Sequence, residues 1–497
     1  MRRQLWRGGM VLGVAALVGF AALAQYPQTG YRPNPLTGGY VPQPAYNPLT
    51  GAGGPQPMFN AMTGAGPNPA MARNPFTGQP MPAPTAMNPI TGKLQALGAV
   101  PMPTAPVVYQ WPKGKFPITG KAGPGLETLD EGLQMLMTRH GIPGAALAIA
   151  KDGKLVYAKG FGWADLSAAA TVNPLTLFGL ASLSKPLTAM AILWLIEHGM
   201  LRLDDRAFEI LADIRPLPGV KLDPNLHKVT VRQLLNHTAG WDRDESGDPA
   251  NWEPQIARAL GVAPPVNPDQ FIAYIMGLPL DYVPGTKMEY SNIGFIILGR
   301  IIEKVSGEPY EQFVQKHVLQ PAGVQHAFIS RGHRAYGSNE ARRYLVGTSI
   351  LLPPMDLPMV QGAGGWTASA VDMVRVLTAL DGSRGARLLK DATLREMIAP
   401  PPAPIKPRPD GTFNGLGWPT VVNQPNGFGY AHDGNFHGMR TFLKRTPRGV
   451  NWALFFNVSA QPDPADAKMI TKAVQQTRER VESIEKYPDV DLFGQFP

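Results

Sequence analysis

A Ser-x-x-Lys pair, Ser182 and Lys185, supplies the residue types needed for nucleophilic catalysis. The three-residue spacing is close to one helical turn, so both side chains are expected on one face of a helix. The pair precedes the apolar stretch 187–201, which predicts a buried helix. Free N–H groups and the dipole at the start of that helix would favour developing negative charge. A lysine amine whose pKa is lowered by burial could take the Ser182 proton, which predicts attack by the serine on an acyl group.

The Ser-x-x-Lys pattern is short, and chance predicts about one match in a chain of this size. A second match, Ser483 to Lys486, ends a polar and charged helical stretch and is followed by only eleven residues. Because no partner groups can follow it in chain order, we assign it no catalytic role.

Two further motifs follow Ser182 along the chain. Tyr290-Ser-Asn292 is the only Tyr-x-Asn of the sequence, and His432-Asp-Gly434 comes directly after a predicted strand, 427–431. A phenol beside a nucleophile can act in acid–base catalysis. The alternative, a core tyrosine at position 290, is disfavoured by the order of the motifs. His432 and His437 are five residues apart with no third ligand in the pattern, so we expect no metal. His237 and His437 are expected to be structural.

These motifs, taken in order, resemble the serine β-lactamase-related family over about residues 123–485. The family includes class C β-lactamases, D-alanyl-D-alanine carboxypeptidases, D-aminopeptidases and family VIII esterases. The resemblance also rests on two connecting segments, Leu234-Leu-Asn-His-Thr-Ala-Gly240 and a Gly364-Gly365 pair before a helix that contains Asp372.

The resemblance implies a role for each matching residue. Ser182 would be the nucleophile that forms an acyl-enzyme, and Lys185 would activate it. Tyr290 would be the general base that later protonates the leaving group. Asn292 would hydrogen-bond Lys185 or a substrate amide.

The third motif would supply the other side of the site. The backbone N–H groups of Ser182 and Asn435 would form the oxyanion hole, and Gly434 would permit close approach of the substrate. His432 stands where β-lactamases commonly have Lys. Asp433 departs from the usual Thr, and its charge would repel a substrate carboxylate, which favours esters, neutral amides or a substrate with a free amine. Arg440 could restore a positive charge nearby.

The elements that must position these residues predict an α+β fold. Apolar runs at 145–150 and 155–160 flank Asp152-Gly153, which is a strong hairpin signal. Helical patterns dominate 231–307, and three strand-like segments near 427–458 precede a last helix at about 463–485. We therefore expect an antiparallel sheet, built from both ends of the body and flanked by helices, with a mainly helical region inserted: an α/β sandwich like that of β-lactamases and transpeptidases.

The N-terminal part of the chain differs in composition from the rest. Residues 1–24 are typical of a signal peptide, with Arg2 and Arg3 before an apolar run that ends in Ala22-Leu-Ala24. Residues 25–122 are rich in Pro and Gly and are expected to be disordered. They repeat an Asn-x-x-Thr-Gly unit at 34–38, 47–51, 60–64, 74–78 and 88–92. The hydrolase domain would cover 123–488, and 489–497 would be a tail.

Composition limits the classes of function. The chain has 497 residues, no Cys and a formal net charge of +9. No Asp or Glu precedes Glu127, so the excess positive charge lies in the N-terminal segment and the body is neutral. A neutral body does not favour nucleic-acid binding. The absence of Cys excludes disulfides, thiolate metal sites and a cysteine nucleophile, and no motif indicates a cofactor.

Two hypotheses of different classes follow. The first is an exported serine hydrolase without cofactor, located in the periplasm, the cell envelope or outside the cell, that acts on a small ester, amide or peptide substrate. The second is a penicillin-binding-like or envelope-binding protein that keeps the pocket without turnover. In either case the repeats would be a spacer or a ligand for an envelope partner, and a cleaved signal would leave no transmembrane segment.

Overall fold

The computed structural model describes residues 117–331, 336–345, 351–352, 355–385, 387–425, 427–459 and 464–496. It also describes two pairs of three-residue strands nearer the N-terminus, Tyr31–Pro33 with Tyr40–Pro42 and Thr85–Met87 with Leu94–Ala96. The expected signal peptide and all five copies of the repeat lie outside these residues. Within the described part of the chain, no helix is both long and apolar enough to cross a membrane.

An antiparallel sheet organises the body. Its strands are β1 (Ile118–Ala122), β2 (Gly144–Lys151), β3 (Lys154–Asp165), β4 (Thr420–Gln424), β5 (Gly427–Phe436), β6 (Met439–Arg445) and β7 (Val450–Phe456), in the spatial order β4-β5-β6-β7-β2-β3-β1. A two-residue strand, Ala170–Thr171, adds to β3. Strands from the two ends of the body meet where β7 pairs with β2. The predicted α+β class with an antiparallel sheet is therefore confirmed.

The hairpin predicted at Asp152-Gly153 joins β2 and β3. Both residues have positive φ, 50° and 77°, as expected for the mirror-image turns that match the twist of a two-residue hairpin. The two strands are almost wholly buried, because helices cover both faces of the sheet.

Alternation along the strands divides the core into two layers. Leu147 and Ile149 of β2 face α1 (Thr128–His140) and the final helix, whereas Ala146 and Ala148 face the larger cluster that includes the inserted helices. The inserted region contains α2 (Ser184–Glu197) and α3 (Asn292–Ser306), and α4 (Ala370–Leu380) follows it. The final helix is α5, Pro464–Glu482.

Shorter elements complete the region between β3 and β4. The helices are Ala207–Ile210, Val231–Leu235, Glu253–Leu260, Pro268–Ile275, Tyr310–Val314, Gln361–Gly364 and Asp391–Met397, with a π-helical turn at Gln315–Leu319 and 3-10 turns at Ala181–Leu183, Leu226–Lys228 and Pro249–Asn251. The short strands of this region are Phe178–Gly179, Phe328–Ile329, Tyr344–Leu345 and Trp366–Ala368. Outside it, a strand at Val458–Ser459 follows β7 and a 3-10 turn at Phe493–Gln495 follows α5.

The folded body extends beyond both predicted boundaries. Strand β1 lies before residue 123 and pairs with β3 from Ile118 to Ala122, although Pro117–Gly120 resembles a degenerate copy of the repeat. At the other end, the backbone N–H of Leu492 donates to the Leu155 carbonyl, and Phe493 is buried. Local composition marks neither segment as folded, because each is held by hydrogen bonds to residues far away in the chain, including those of β3.

Candidate functional site

Ser182 lies in a 3-10 turn, Ala181–Leu183, that leads into α2. Ala181 has a φ of 49°, a left-handed conformation that costs a residue with a Cβ about 1 kcal/mol or more. Ser184 holds this turn, because its Oγ donates to the Ala181 carbonyl at 2.8 Å and accepts from the Trp366 N–H at 3.1 Å. The strained turn leaves Ser182 only partly buried, at the wall of a cavity.

Lys185 is completely buried one turn after Ser182. Its Nζ lies 3.2 Å from Ser182 Oγ, 2.6 Å from Asn292 Oδ1 and 2.7 Å from the Ala363 carbonyl. Burial lowers the pKa of Lys185 to about 7, with Asp248 acting to raise it and Arg243 to lower it. The amine can therefore be neutral near neutral pH and can accept a proton from Ser182.

Tyr290 approaches Ser182 from the opposite side. It lies two residues before α3, and its OH donates to Ser182 Oγ at 2.8 Å. Burial raises the pKa of Tyr290, while the hydrogen bond with Ser182 and the charge of Arg243 act to lower it. The phenol is therefore protonated in the resting site, and its proton points at the nucleophile.

Asn292 links Lys185 to an acidic residue that the sequence motifs did not identify. Its Oδ1 accepts from Lys185, and its Nδ2 donates to Asp248 Oδ2 at 2.5 Å. Asp248 also accepts from the Ala250 N–H at 3.1 Å and so caps a 3-10 turn. The Asp248-Pro249 dipeptide signals such a turn, but nothing in the sequence indicates that the same carboxylate orients the amide of Asn292.

Strand β5 places the third motif beside the Ser182 turn. The pairing of β4 with β5 ends at Thr420 and Ala431, so residues 432–436 pair only with β6 and leave one strand edge open. A Cβ on Gly434 would lie 2.4 Å from the Leu180 carbonyl and 3.2 Å from the Ala181 Cβ. The close approach that requires glycine here is therefore made by the chain itself. Asn435 is exposed at the cavity, next along the strand.

His432 is buried beside Tyr290, with ring centroids 6.2 Å apart. Its Nδ1 lies 2.7 Å from the Asp433 carbonyl, and its Nε2 has no hydrogen-bond partner. Burial, assisted by the charge of Lys185, lowers the pKa of His432 to about 4. The ring is thus neutral, and it supplies no positive charge at this position.

Asp433 forms an ion pair with Arg440 of β6. Their side chains are 52% and 12% exposed, and Arg440 Nη1 also donates to the Gly434 carbonyl at 3.2 Å. Partial burial opposes ionisation of Asp433, but Arg440 and His432 hold its pKa below the ordinary value. The carboxylate is therefore charged, and Arg440 largely neutralises it.

His237 and His437, which the sequence analysis treats as structural, have different surroundings. His437 lies in the turn after β5, where its carbonyl accepts from Arg343 Nη1 at 3.0 Å. His237 packs against the Tyr290 ring at 4.5 Å between centroids, and its Nδ1 accepts from the Ser291 N–H at 3.2 Å. Burial holds the pKa of His237 well below its ordinary value, so the ring is a neutral support for Tyr290.

A cavity of about 400 Å³ brings these groups to one surface. Among residues 117–496 as described, no cluster of three or more acidic or histidine side chains could hold a metal ion. The cavity is lined by Ser182, Arg243, Tyr290, Pro419, His432, Asp433, Asn435, Arg440, Ile470 and Thr471. Arg243 is a further residue that no motif indicated.

The α+β body with Ser182, Lys185 and Tyr290 at one strand edge defines a serine β-lactamase-fold protein. The Beta-lactamase family model matches residues 129–478, and the chain belongs to that family. It is 31% identical over 262 residues to putative penicillin-binding protein PbpX of Bacillus subtilis, covering 52% of this chain and 59% of the relative. It is 26% identical over 355 residues to esterase EstB of Burkholderia gladioli, covering 64% of this chain and 86% of that protein.

A solved structure shows the same fold. The octameric penicillin-binding protein homologue from Pyrococcus abyssi superposes with a TM-score of 0.56 at 26% identity. The match covers 71% of this chain and 77% of that one.

Proposed function

We propose that the protein is a serine hydrolase that cleaves ester or amide bonds through an acyl-enzyme. One observation carries the proposal: Ser182 Oγ lies within hydrogen-bonding distance of both Lys185 Nζ, at 3.2 Å, and Tyr290 OH, at 2.8 Å. A nucleophile held between a buried amine of lowered pKa and a phenol has a proton acceptor on one side and a proton donor on the other.

The reaction would proceed in two halves. Ser182 Oγ attacks the substrate carbonyl while its proton passes to Lys185, and the backbone N–H groups of Ser182 and Asn435 stabilise the oxyanion. Tyr290 donates its proton to the departing alkoxide or amine, regains one from Lys185, and leaves an ester on Ser182. Water then attacks that ester, its proton returns through the same groups, and the free acid departs.

The charges beside Ser182 favour substrates without a carboxylate near the reacting carbonyl. His432 is neutral at neutral pH, because its pKa is lowered to about 4. Arg440 is already paired with Asp433. The side of the cavity formed by β5 therefore offers no unpaired positive charge, which favours uncharged esters or amides, and the resemblance to a protein named as an esterase supports an ester as substrate.

The test is labelling by a fluorophosphonate serine probe, followed by intact mass and by turnover of a phenyl ester. We expect one adduct and ester turnover in the wild type, and neither in Ser182→Ala, which should fold normally. Ser483→Ala is the matched control, because Ser483 is exposed after α5 and its Oγ donates to the Arg480 carbonyl of the same helix at 3.0 Å. Full activity in Ser182→Ala would refute the assignment.

The rival function is a binding protein that acylates without turnover. It retains the same cavity, so the two are separated by the lifetime of the acyl-enzyme. Intact mass after mixing with the phenyl ester should show free protein within seconds for a hydrolase. An acyl adduct that persists for hours, with one equivalent of phenol released, would favour the binding protein.

We also propose that residues 1–24 direct export and that the repeat segment holds the body away from an envelope surface. The charged start and apolar run support the first point, and the Pro- and Gly-rich composition supports the second. Mass spectrometry of the protein recovered from cell fractions tests both. A cytoplasmic protein with an intact N-terminus would contradict export, and unchanged envelope association after deletion of 26–116 would contradict the second point.

A further inference from the structure

The edge strand β1 shares its sequence with part of the repeat segment. Residues 117–121 read Pro-Ile-Thr-Gly-Lys, and residues 89–93, which contain the end of the fifth repeat, read the same. The other four repeats, at 34–38, 47–51, 60–64 and 74–78, also end in Thr-Gly. Strand β1 therefore shows what a unit of this sequence can bind.

Backbone and side-chain contacts hold this unit at the edge of the sheet. Residues Ile118–Ala122 pair with β3, and the Pro117 carbonyl accepts from the Gly162 N–H at 2.9 Å. Thr119 Oγ1 donates to the Val172 carbonyl at 2.7 Å. The threonine hydroxyl is thus bound by a chain segment beyond the end of β3.

The last residue of the unit must be glycine. Gly120 has a φ of 85°, and a Cβ there would lie 2.2 Å from the Ala158 carbonyl and 2.5 Å from Pro174 Cγ. Ile118, in contrast, is 38% exposed. The repeats show the same division, because Thr and Gly are constant in all five, whereas the residue before Thr is Leu, Leu, Met, Phe or Ile. The positions that the β3 edge recognises are therefore the constant positions of the repeat.

We propose that residues 89–93 of the same chain are an alternative edge strand that replaces residues 117–121 on β3. Their identical sequence offers the same proline carbonyl, threonine hydroxyl and glycine. The exchange moves the point where the body is attached by 28 residues towards the N-terminus, and so shortens the proposed spacer by that length. The proposal concerns the repeat segment and does not depend on the proposed hydrolase function.

The same chain is favoured over a second copy as the source of this strand. Residues 94–125 would form a loop that returns to the start of α1, and a flexible loop of this kind gives an effective concentration on the order of 1 mM. A repeat from a second copy is present only at the concentration of the protein. At micromolar protein, exchange within one chain therefore predominates.

The strand seen in the structure has an advantage over its copy. Beyond the five shared residues the sequences diverge, and Gln95 corresponds to Gly123. A Cβ on Gly123 would lie 2.5 Å from Pro488 Cγ, so the copy cannot continue along the same path. The exchange also opens the pairing of Thr85–Met87 with Leu94–Ala96, although an isolated two-stranded pair is only marginally stable. We therefore expect the exchanged form to be minor in the wild type and to predominate when β1 is weakened.

Disulfide trapping tests the exchange, because the chain has no Cys and only introduced pairs can form. Lys121 pairs with Ala158 in the ladder, and the Cα atoms of such pairs are about 4.5–5.5 Å apart, within the span of a disulfide. Lys121→Cys with Ala158→Cys is the reference and should close in a glutathione buffer. Lys93→Cys with Ala158→Cys should close in a minor fraction of molecules, and in most of them once Thr119→Val and Gly120→Val weaken β1. Intact mass of the full chain gives each fraction.

Two controls separate docking from random encounter in the weakened background. Gly92→Val should lower the fraction of the 93–158 disulfide by at least about ten-fold, because a β-branched residue is strained at the positive φ that the site requires. Gln95→Cys with Ala158→Cys lies on the same segment but out of register, and it should close to a similarly small extent. Equal closure at positions 93 and 95, or no effect of Gly92→Val, would overturn the proposal.

Two further results would also overturn it. One is the absence of a 93–158 disulfide in the weakened background while the reference pair closes. The other is a 93–158 disulfide found only in covalent dimers, because the strand would then come from a second copy.

Hydrogen exchange provides a measurement that needs no cysteine. The Gly162 N–H, which donates to the Pro117 carbonyl, should stay protected in Thr119→Val/Gly120→Val, because residues 89–93 take over the edge. Addition of Gly92→Val should then speed its exchange by at least about ten-fold. Equal exchange rates with and without Gly92→Val would contradict the replacement of β1 by residues 89–93.

Discussion

The guanidinium carbon of Arg243 lies 4.6 Å from the centroid of the Tyr290 ring. Lys185 Nζ lies 4.9 Å from the same centroid, so two basic side chains lie close to one phenol. A positive charge over an aromatic face is attracted by the ring, and the attraction grows if the phenol loses its proton. Arg243 acts to lower the pKa of Tyr290, where it opposes the effect of burial. It also acts to lower the pKa of Lys185, where it adds to the effect of burial.

Removal of the Arg243 charge should therefore shift the pH dependence of the reaction. In Arg243→Gln the pKa of Lys185 should rise from about 7, so the acid limb of kcat/KM against pH should move to higher pH. A cation–aromatic contact at a half-exposed site contributes about 1 kcal/mol, which corresponds to about a five-fold loss at neutral pH. Arg243→Lys should recover part of that loss. A uniform loss at all pH values would contradict this role.

Asp248 should produce the opposite shift. It acts to raise the pKa of Lys185, so Asp248→Asn should move the acid limb of kcat/KM to lower pH while an amide oxygen still accepts from Asn292. Asp248→Ala also removes that acceptor, and we expect an additional loss of about ten-fold in kcat, since a hydrogen bond to a charged group contributes about 1.5–3 kcal/mol. An alkaline shift in Asp248→Asn would contradict the charge argument.

The sequence predicted the site residues that belong to a local motif, but not those that only the folding of the chain brings to the site. Ser182 and Lys185 are one turn apart, and Tyr290 and Asn292 flank a helix start, so local patterns identify them. Arg243 and Asp248 lie in the loop after His237, where neither helical nor strand periodicity constrains them, and only folding brings them to Tyr290 and Asn292. The same limit applies to the sheet.

Strand β1 shows this limit for the fold. The hairpin of β2 and β3 was predicted because its turn is local. The pairing of Ile118–Ala122 with β3 joins residues about 40 positions apart, and its short polar sequence carries no alternating pattern. The partner strand, rather than the segment's own propensity, determines that it is folded.

Gly434 offers a steric test of how β5 positions the nucleophile. A Cβ there would lie 2.3 Å from Thr441 Oγ1 and 2.4 Å from the Leu180 carbonyl, so Gly434→Ala should displace the turn that carries Ser182. Overpacking of this kind costs about 1–3 kcal/mol, and we expect a lower thermal midpoint with a loss of at least about 100-fold in kcat/KM. Gly494→Ala is the control, because no heavy atom lies within 4 Å of its added Cβ. Full activity in Gly434→Ala would show that the contact does not set the position of Ser182.

Asp433 offers a test of whether the site selects substrates by their charge. Arg440 is 12% exposed and is held by Asp433 and by the Gly434 carbonyl, so Asp433→Thr should free its guanidinium to face the cavity. The measurement is the ratio of kcat/KM for two esters that differ only by a carboxylate in place of a carboxamide near the reacting carbonyl. Two unit charges about 4 Å apart in water interact by about 1 kcal/mol. We therefore expect kcat/KM for the carboxylate ester, relative to that for the carboxamide ester, to rise by about five-fold.

Two further variants separate charge from shape at this position. Asp433→Asn removes the negative charge without changing the size of the side chain, and it should reproduce most of the shift in that ratio. Arg440→Gln in the Asp433→Thr background should reverse it, because no cation then faces the carboxylate on the β5 side of the cavity. If Asp433→Thr and Asp433→Asn both leave the ratio unchanged, the Asp433–Arg440 pair does not select substrate charge.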